Sequence, residues 1–346
     1  YFFARLAFHK NAGDTPANQP PVSLIICARN EQFNLEKNLP HILQQRLNSP
    51  HEVVLVNDNS EDDTKQAMQW MARIHPFLHV LNIERKGIER IGKKYPLSIG
   101  IREAKNEHLL LTDADCVPAS DQWAQKMISA YSQDTEIVLG YGAYEKHPGL
   151  LNKIIRFETF HSALQYLSYA LAGQAYMGVG RNLSYKKELF FKHKGFASIS
   201  HIPGGDDDLF ISKAASGTNT AIMIDAAAHT LSIPQKTWRS WRRQKTRHYS
   251  TSKYYKTKHK FLLGLYSLAQ FLFYPFLIAV AILVSWQIAL AAFVIKSITQ
   301  YVVFSKAMKK LNEADLIKWI FLMDLWMFVY YLLFANTLWK KEKKTW

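Results

Sequence analysis

The chain has 346 residues, 48% of them hydrophobic, and a formal net charge of +15 from 43 Lys and Arg against 28 Asp and Glu. That length fits one large domain or two small ones, and the two cysteines, Cys27 and Cys116, exclude a disulfide framework and read as buried thiols in a reducing compartment. The basic excess is densest from about residue 236 to 260, directly against an apolar segment, so it points to a membrane surface and away from a nucleic-acid partner.

Residues 1–10 look like the end of an apolar helix closing on a basic flank, with a membrane helix expected upstream, and residues 11–21 read as linker. A domain opens at 21 with the apolar, β-rich run Val22–Ala28. Residues 34–46 read as a helix, and 52–59 as a buried strand ending in polar and acidic residues. The stretch 62–71 starts a helix with a capping signal. Residues 77–83 and 108–113 are further strands. Strand and helix alternate at short spacing, which predicts an α/β domain over 21–235 with a mostly parallel sheet covered on both faces.

Past about residue 235 the pattern changes. Trp238 to His248 carries aromatics and bases at helical spacing, so 236–260 reads as an amphipathic interfacial segment. Residues 261–284, 286–304 and 318–338 are candidate transmembrane helices, the second interrupted by Lys296. Positive flanks at Lys256–Lys260 and Lys306–Lys310 place those ends in the cytoplasm. The basic tail after Trp339 asks for the same side. Three full spans cannot satisfy all of these, so either one segment is re-entrant or interfacial, or the tail departs from the rule.

Asp113 and Asp115 follow the apolar run Leu109–Leu111 and so lie at a strand's C-terminal end, where open α/β sheets bind ligands. Two carboxylates one residue apart repel unless a positive charge joins them, and a divalent cation suits oxygen ligands. Six stretches then occur in order: Ala-Arg-Asn-Glu at 28–31, Val-Asn-Asp-Asn-Ser-Glu-Asp-Asp-Thr at 56–64, Gly-Lys-Lys-Tyr-Pro-Leu-Ser-Ile-Gly at 92–100, Asp-Ala-Asp at 113–115, Gly-Gly-Asp-Asp-Asp-Leu at 204–209, and Gln-Lys-Thr-Arg-His at 244–248. Together they resemble a membrane-bound family 2 glycosyltransferase of GT-A fold, the type that includes cellulose, chitin and hyaluronan synthases and ceramide glucosyltransferase. The resemblance covers about residues 21–250, and the apolar helices that follow fit it.

The resemblance implies a Rossmann-like nucleotide-sugar domain and assigns roles. Asp58 pairs with a uracil ring, with Ala28 and Glu31 beside it; from the residue alone, Asp58 is equally a helix cap. Lys93, next to a glycine, reaches the base or diphosphate, or is a solvated lysine. Asp113 faces the ribose and sugar, and Asp115 holds Mn2+ or Mg2+, which neutralises the departing diphosphate. His229 is a further metal-ligand candidate against a structural role.

The crowded acids of 206–208 raise at least one pKa by mutual repulsion, which suits a general base. By position the base is Asp207, with Asp206 and Asp208 as alternatives. An acid-rich helix N-terminus accounts for the same residues. Arg181 and Asn182, within 177–185, are candidates for the acceptor pocket, or belong to a turn into a helix. Gln244 and Arg247 share a helix face, and the planar fork of Arg247 suits the diphosphate. His248 replaces the Trp that relatives stack on an acceptor sugar. Trp241 and Trp238 serve as a sugar platform or a membrane anchor.

The function implied is a metal-dependent, inverting transfer from a nucleotide sugar, expected to be UDP-linked, to a lipid, lipid-linked or glycan acceptor. The enzyme would be an integral membrane protein with its catalytic domain on the cytoplasmic face, as in a bacterial inner membrane. The alternatives are a processive polysaccharide synthase, a metal-dependent nucleotidyltransferase, and a non-catalytic export subunit or sensor. Two or three helices enclose only a narrow channel unless a homo-oligomer or a partner contributes. That favours single transfer.

Overall fold

The computed structural model describes residues 2–10, 19–84 and 92–335. In chain order the elements are α1 (Phe2–Ala7), β1 (Val22–Ala28), α2 (Gln32–Leu43), β2 (His51–Asp58), α3 (Thr64–Ile74), β3 (Leu78–Ile83), α4 (Lys94–Glu103), β4 (His108–Asp113), β5 (Cys116–Pro118), α5 (Trp123–Ser129), β6 (Ile137–Leu139) and β7 (Gly142–Tyr144). They continue with α6 (Leu150–Ala170), β8 (Leu183–Lys186), α7 (Lys187–Lys192), α8 (Asp208–Ala214), β9 (Thr220–Ile222), β10 (Thr230–Ser232), α9 (Trp238–Tyr249), α10 (Thr257–Leu283), α11 (Trp286–Lys310) and α12 (Ile320–Ala335). Most of the linker expected at 11–21, and the tail beyond 335, lie outside the described residues.

The chain divides into two compact units. Among the described residues, one comprises Lys10–His147 and Tyr169–Pro234; the other comprises residues 2–9, Pro148–Ser168 and 235–335. The first holds a seven-stranded sheet in the order β3-β2-β1-β4-β8-β6-β9 and a three-stranded sheet in the order β5-β10-β7. Strands β3, β2, β1 and β4 run parallel, and β8 pairs antiparallel with β4. The sequence explains the parallel core, because its strands are apolar on both faces. Leu24, Ile26, Val53, Leu55 and Leu110 join a cluster with Leu35, Leu39, Met68, Trp123 and Met127 from α2, α3 and α5. Residues of opposite parity face α4. A Cβ on Gly100 would lie 2.9 Å from both Ile25 Cγ2 and Val56 Cγ2, so only glycine lets α4 approach this closely.

The loops after β1 and β2 are tied together. Asn30 and Asn59 adopt φ of 57° and 53°, a conformation that asparagine tolerates. Glu61 N donates to Asn30 Oδ1 at 2.8 Å, and Asn30 N to Ser60 Oγ at 3.1 Å. The capping signal near 62 resolves to Asp62, which accepts from Thr64 N at 3.1 Å and Gln32 N at 3.3 Å and so serves two helices. The stretch 177–185 leads into a strand, β8, because its apolar side chains complete the sheet between β4 and β6.

In the second unit, three segments among the described residues are long and apolar enough to cross a membrane: Thr257–Leu283, Trp286–Lys310 and Ala314–Phe334. Lys296 does not interrupt the second. Its ammonium pairs with Asp324, which also accepts from Gln270, Tyr274 and Gln300, so one buried carboxylate ties α10, α11 and α12 together. Helix α6, expected inside the catalytic domain, groups instead with the C-terminal helices. Its buried polar residues explain why. Arg156 forks onto Glu313 and Asp315, Glu158 takes Lys245 and Tyr330, and His161 meets the Tyr266 hydroxyl at 2.7 Å.

Candidate active site

The parallel core strands end on one edge of the sheet. In register, Cys27 pairs with Asp113 and Val56, and Ala28 with Asn57, so Ala28, Asp58 and Asp113 close three neighbouring strands. The connections out of β1 and into β4 run in opposite directions from β1, which makes this the crevice where such sheets bind ligands. Asn57 is structural: its amide donates to Asn82 Oδ1 at 3.0 Å and its oxygen accepts from Ser60 N at 3.2 Å. Asp58 is buried beside it at the strand end.

Lys93 precedes α4 and pairs with Asp113. Against the cost of burial, Asp113 raises the Lys93 ammonium above its ordinary range. The neighbouring Lys94 is buried, and its ammonium donates to the carbonyls of Ile202 and Gly204. Adjacent lysines therefore reach opposite ways, one to the strand-end acid and one to the backbone before the acid triplet. The sequence reading missed Lys94; its signal was the doubled lysine after Gly92.

Ligand atoms of Asp113, Asp115 and Cys116 lie within 4.8 Å of one another. Two carboxylates this close fit a hard divalent cation. The thiol fits poorly: Cys116 Sγ sits 3.1 Å from Ser232 Oγ, and burial raises its pKa and keeps it neutral. Asp115 is exposed as a residue, yet its carboxyl is partly desolvated by its neighbours. That desolvation, and then the charge of Asp113, raise its pKa. Burial, followed by the charges of Asp115 and Asp113, does the same to Glu31, which accepts from Asn34 at 2.5 Å. Cys27, half-buried beneath these groups, has its thiol pushed up to about 12 by burial and is inert.

His229, expected as a further ligand, lies outside this cluster. It is buried with its ring edge-on to Tyr141 at 5.1 Å, and burial lowers its pKa to about 4.

The structure separates the three acids. Gly205, at φ +93°, supplies the left-handed turn that delivers them. Asp208 is buried, and its Oδ1 accepts from Leu209 N at 2.7 Å in its own helix. Asp207 caps α8: Oδ1 accepts from Asp208 N at 2.7 Å and Oδ2 from Gly180 N at 2.8 Å. Burial, then Asp206 and Asp208, nevertheless push its carboxyl up to about 8. Asp206 is half-buried, and its charge is felt by Lys93 and by Cys27 of the strand-end cluster.

Arg181 lies over the Tyr144 ring at 4.4 Å and donates to Ser232 Oγ at 3.2 Å and Ala143 O at 3.3 Å. Asn182, expected to line an acceptor pocket, is instead fully interior. Its amide donates to Tyr141 O at 3.0 Å and Ala228 O at 2.8 Å, and its oxygen accepts from Trp123 Nε1 at 3.0 Å. Those three contacts hold the two sheets and α5 together.

Gln244, Arg247, His248 and Trp241 belong to the helical unit, on α9. Arg247 and His248 are exposed there and Gln244 is half-buried. Trp241 is neither platform nor anchor: only 3% exposed, it packs on Trp326, Tyr330 and Phe334 at 6.3, 6.1 and 5.7 Å. Trp238 remains half exposed. One turn beyond Trp241, the buried Lys245 pairs with Glu158 of α6.

Residues 23–195 match the family described as glycosyl transferase family 2. Glycosyltransferase AglE of Haloferax volcanii is 28% identical over 142 residues, 41% of this chain and 45% of that protein. Poly-beta-1,6-N-acetyl-D-glucosamine synthase of Staphylococcus epidermidis is 28% identical over 134 residues, 38% of this chain and 29% of that protein. The chain thus spans less than half the length of these relatives. Among solved structures, the mannosyltransferase PcManGT of Pyrobaculum calidifontis, in complex with GDP-Man and Mn2+, superposes with a TM-score of 0.57 at 20% identity, covering 94% of this chain and 92% of that one. That likeness establishes a shared fold.

Proposed function

The chain belongs to glycosyl transferase family 2, and from that premise we propose that it moves the sugar of a UDP-sugar, with inversion, to a hydroxyl of a lipid or lipid-linked acceptor at a membrane. The observation that carries this reading is the charge pattern at one sheet edge: a buried acid at the end of β2, two carboxylates at and just past the end of β4 with Lys93 paired to one of them, and the acid turn at Asp206. Asp58 takes the uracil edge as hydrogen-bond acceptor. Asp113 and Asp115 would hold a divalent cation, Mn2+ or Mg2+, which when bound neutralises charge on the departing diphosphate. Lys93, whose ammonium pairs with Asp113, would reach the phosphate oxygens of a bound donor.

Asp206 is the general base of this proposal, because its charge reaches the Lys93 end of the cluster while Asp207 is committed to capping α8. Asp206 takes the proton of the acceptor hydroxyl, the hydroxyl oxygen bonds to C1, and the bond from C1 to the diphosphate oxygen breaks with its electron pair leaving on UDP. Attack from the face opposite UDP inverts the anomeric centre. Asp207 orients the turn by capping α8 and accepting from Gly180 N. The basic start of α10 and the basic end of α11 support placing both on the cytoplasmic side.

Calorimetry tests the donor half. UDP-glucose, UDP-galactose, UDP-N-acetylglucosamine and GDP-mannose are titrated with Mn2+ or with chelator. A UDP-sugar should bind with metal, weaken at least about tenfold with chelator or Asp115→Asn, and weaken with Asp58→Ala, since each removes a charge-assisted contact. Preference for GDP-mannose would overturn the uracil assignment.

A further inference from the structure

The helical unit contains a groove of about 460 Å3 where α1 meets the end of α11. One wall is apolar, from Ala7, Tyr301 and Val302; the mouth is lined by Ser305, Lys306, Lys309 and Lys310. We propose that this groove binds one anionic phospholipid, its phosphate held by Lys306, Lys309 and the Ser305 hydroxyl and an acyl chain laid along Val302 and Tyr301.

Lysines at the end of an apolar helix are expected on general grounds. They complement the helix dipole and reach for the membrane surface. Such lysines splay into water. Here two of them are drawn to the same short segment. Lys310 Nζ donates to the His9 carbonyl at 2.6 Å, and Lys306 Nζ lies 4.6 Å from the Phe8 ring centroid. Three ammonium groups therefore border one groove, and among the described residues no carboxylate pairs with any of them. Gathered like charges of this kind want an anion.

The depth of the groove selects the source of that anion. One turn below the lysines the surface is apolar, and Tyr301, Val302, Ile298 and Ile295 continue it as an exposed strip along a segment long enough to cross a membrane. A free phosphate would leave that strip uncovered; a phospholipid covers it while its headgroup meets the lysines.

The test uses the whole protein in mild detergent. Native mass spectrometry follows retention of phosphatidylglycerol against phosphatidylcholine during titration. One phosphatidylglycerol should be retained in preference. Lys306→Gln/Lys309→Gln, which leaves Lys310 on the His9 carbonyl, should weaken it about 30-fold, at about 1 kcal/mol for each lysine. Lys309→Gln alone, at an exposed side chain, should weaken it about fivefold on the same scale and serves if the double variant does not fold. Lys258→Gln/Lys260→Gln, at the other basic flank, should leave retention unchanged. Equal retention of the two lipids, or equal losses in both double variants, would overturn the site. Displacement of the lipid by millimolar inorganic phosphate would reassign it to a soluble anion.

Discussion

The buried pair Lys245–Glu158 is the sharpest structural commitment of α9. Both side chains are 7% exposed, so neither charge is screened by water. Lys245 lies four residues from Trp241, and the two form one face of the helix that carries Gln244 and Arg247. Lys245→Met removes the partner of a buried carboxylate and leaves Glu158 with the Tyr330 hydroxyl at 3.3 Å. Breaking a buried pair from one side costs about 3–5 kcal/mol. For a chain of 346 residues that is a fall in Tm of roughly 4–7 °C. The double variant Lys245→Met/Glu158→Met removes both charges and should recover most of the loss, because an apolar pair of similar volume is close to neutral. Thermal unfolding in detergent reads the cycle. A single variant within about 2 °C of wild type, or a double variant worse than either single one, would refute the reasoning.

Other expectations follow from the same structure. Asp206→Asn should lower kcat by at least about 100-fold with little change in thermal stability, while Asp207→Ala should cost about 1 kcal/mol of stability through the lost cap. The reverse pattern in UDP release and unfolding would make Asp207 the base. Because burial and then Asp206 and Asp208 push the folded Asp207 carboxyl up to about 8, the folded state keeps a proton that the unfolded chain releases near pH 4. The stability linked to it is full below about pH 4 and is lost as pH rises towards about 8, so wild-type Tm should fall more steeply than that of Asp207→Asn between pH 5 and 8. Parallel curves would contradict this. In the apolar helices, Lys296→Met leaves Asp324 buried without its cation and should destabilise by several kcal/mol, partly restored by Lys296→Met/Asp324→Leu. Unchanged unfolding of the single variant would show that the carboxylate is not held as described.

The fold was largely legible wherever local pattern decides it. The strand 108–113 has the same ends in sequence and structure, since an apolar run closed by Asp113 is fixed by burial on both faces. The grouping of Asp113 with Asp115 was legible for the same reason. What sequence could not reveal depends on contacts far along the chain. Helix α6 looks like part of the catalytic domain until Arg156 is seen to meet Glu313 and Asp315, about 157 residues later. Asn182 and Arg181 are neighbours in a polar stretch, yet one is interior and the other lies over Tyr144, a difference set by which side of a β-turn each occupies. Trp241 has the same composition cue as Trp238, and both rings meet Trp326, but Trp241 also packs on Tyr330 and Phe334 and is buried while Trp238 stays half exposed. In a run of three aspartates no local signal shows which carboxylate the turn at Gly205 directs to the sheet edge.

The central claim is a metal-assisted sugar transfer carried by the strand-end acids and the Asp206 turn. The most direct measurement is nucleoside diphosphate release by the protein in nanodiscs, from UDP-glucose, UDP-galactose, UDP-N-acetylglucosamine, UDP-glucuronate and GDP-mannose, with Mn2+, with Mg2+ and with chelator. The account predicts UDP release from one UDP-sugar that needs metal and disappears in Asp206→Asn. Release that persists in chelator, or that survives Asp206→Asn and Asp207→Asn alike, would contradict it.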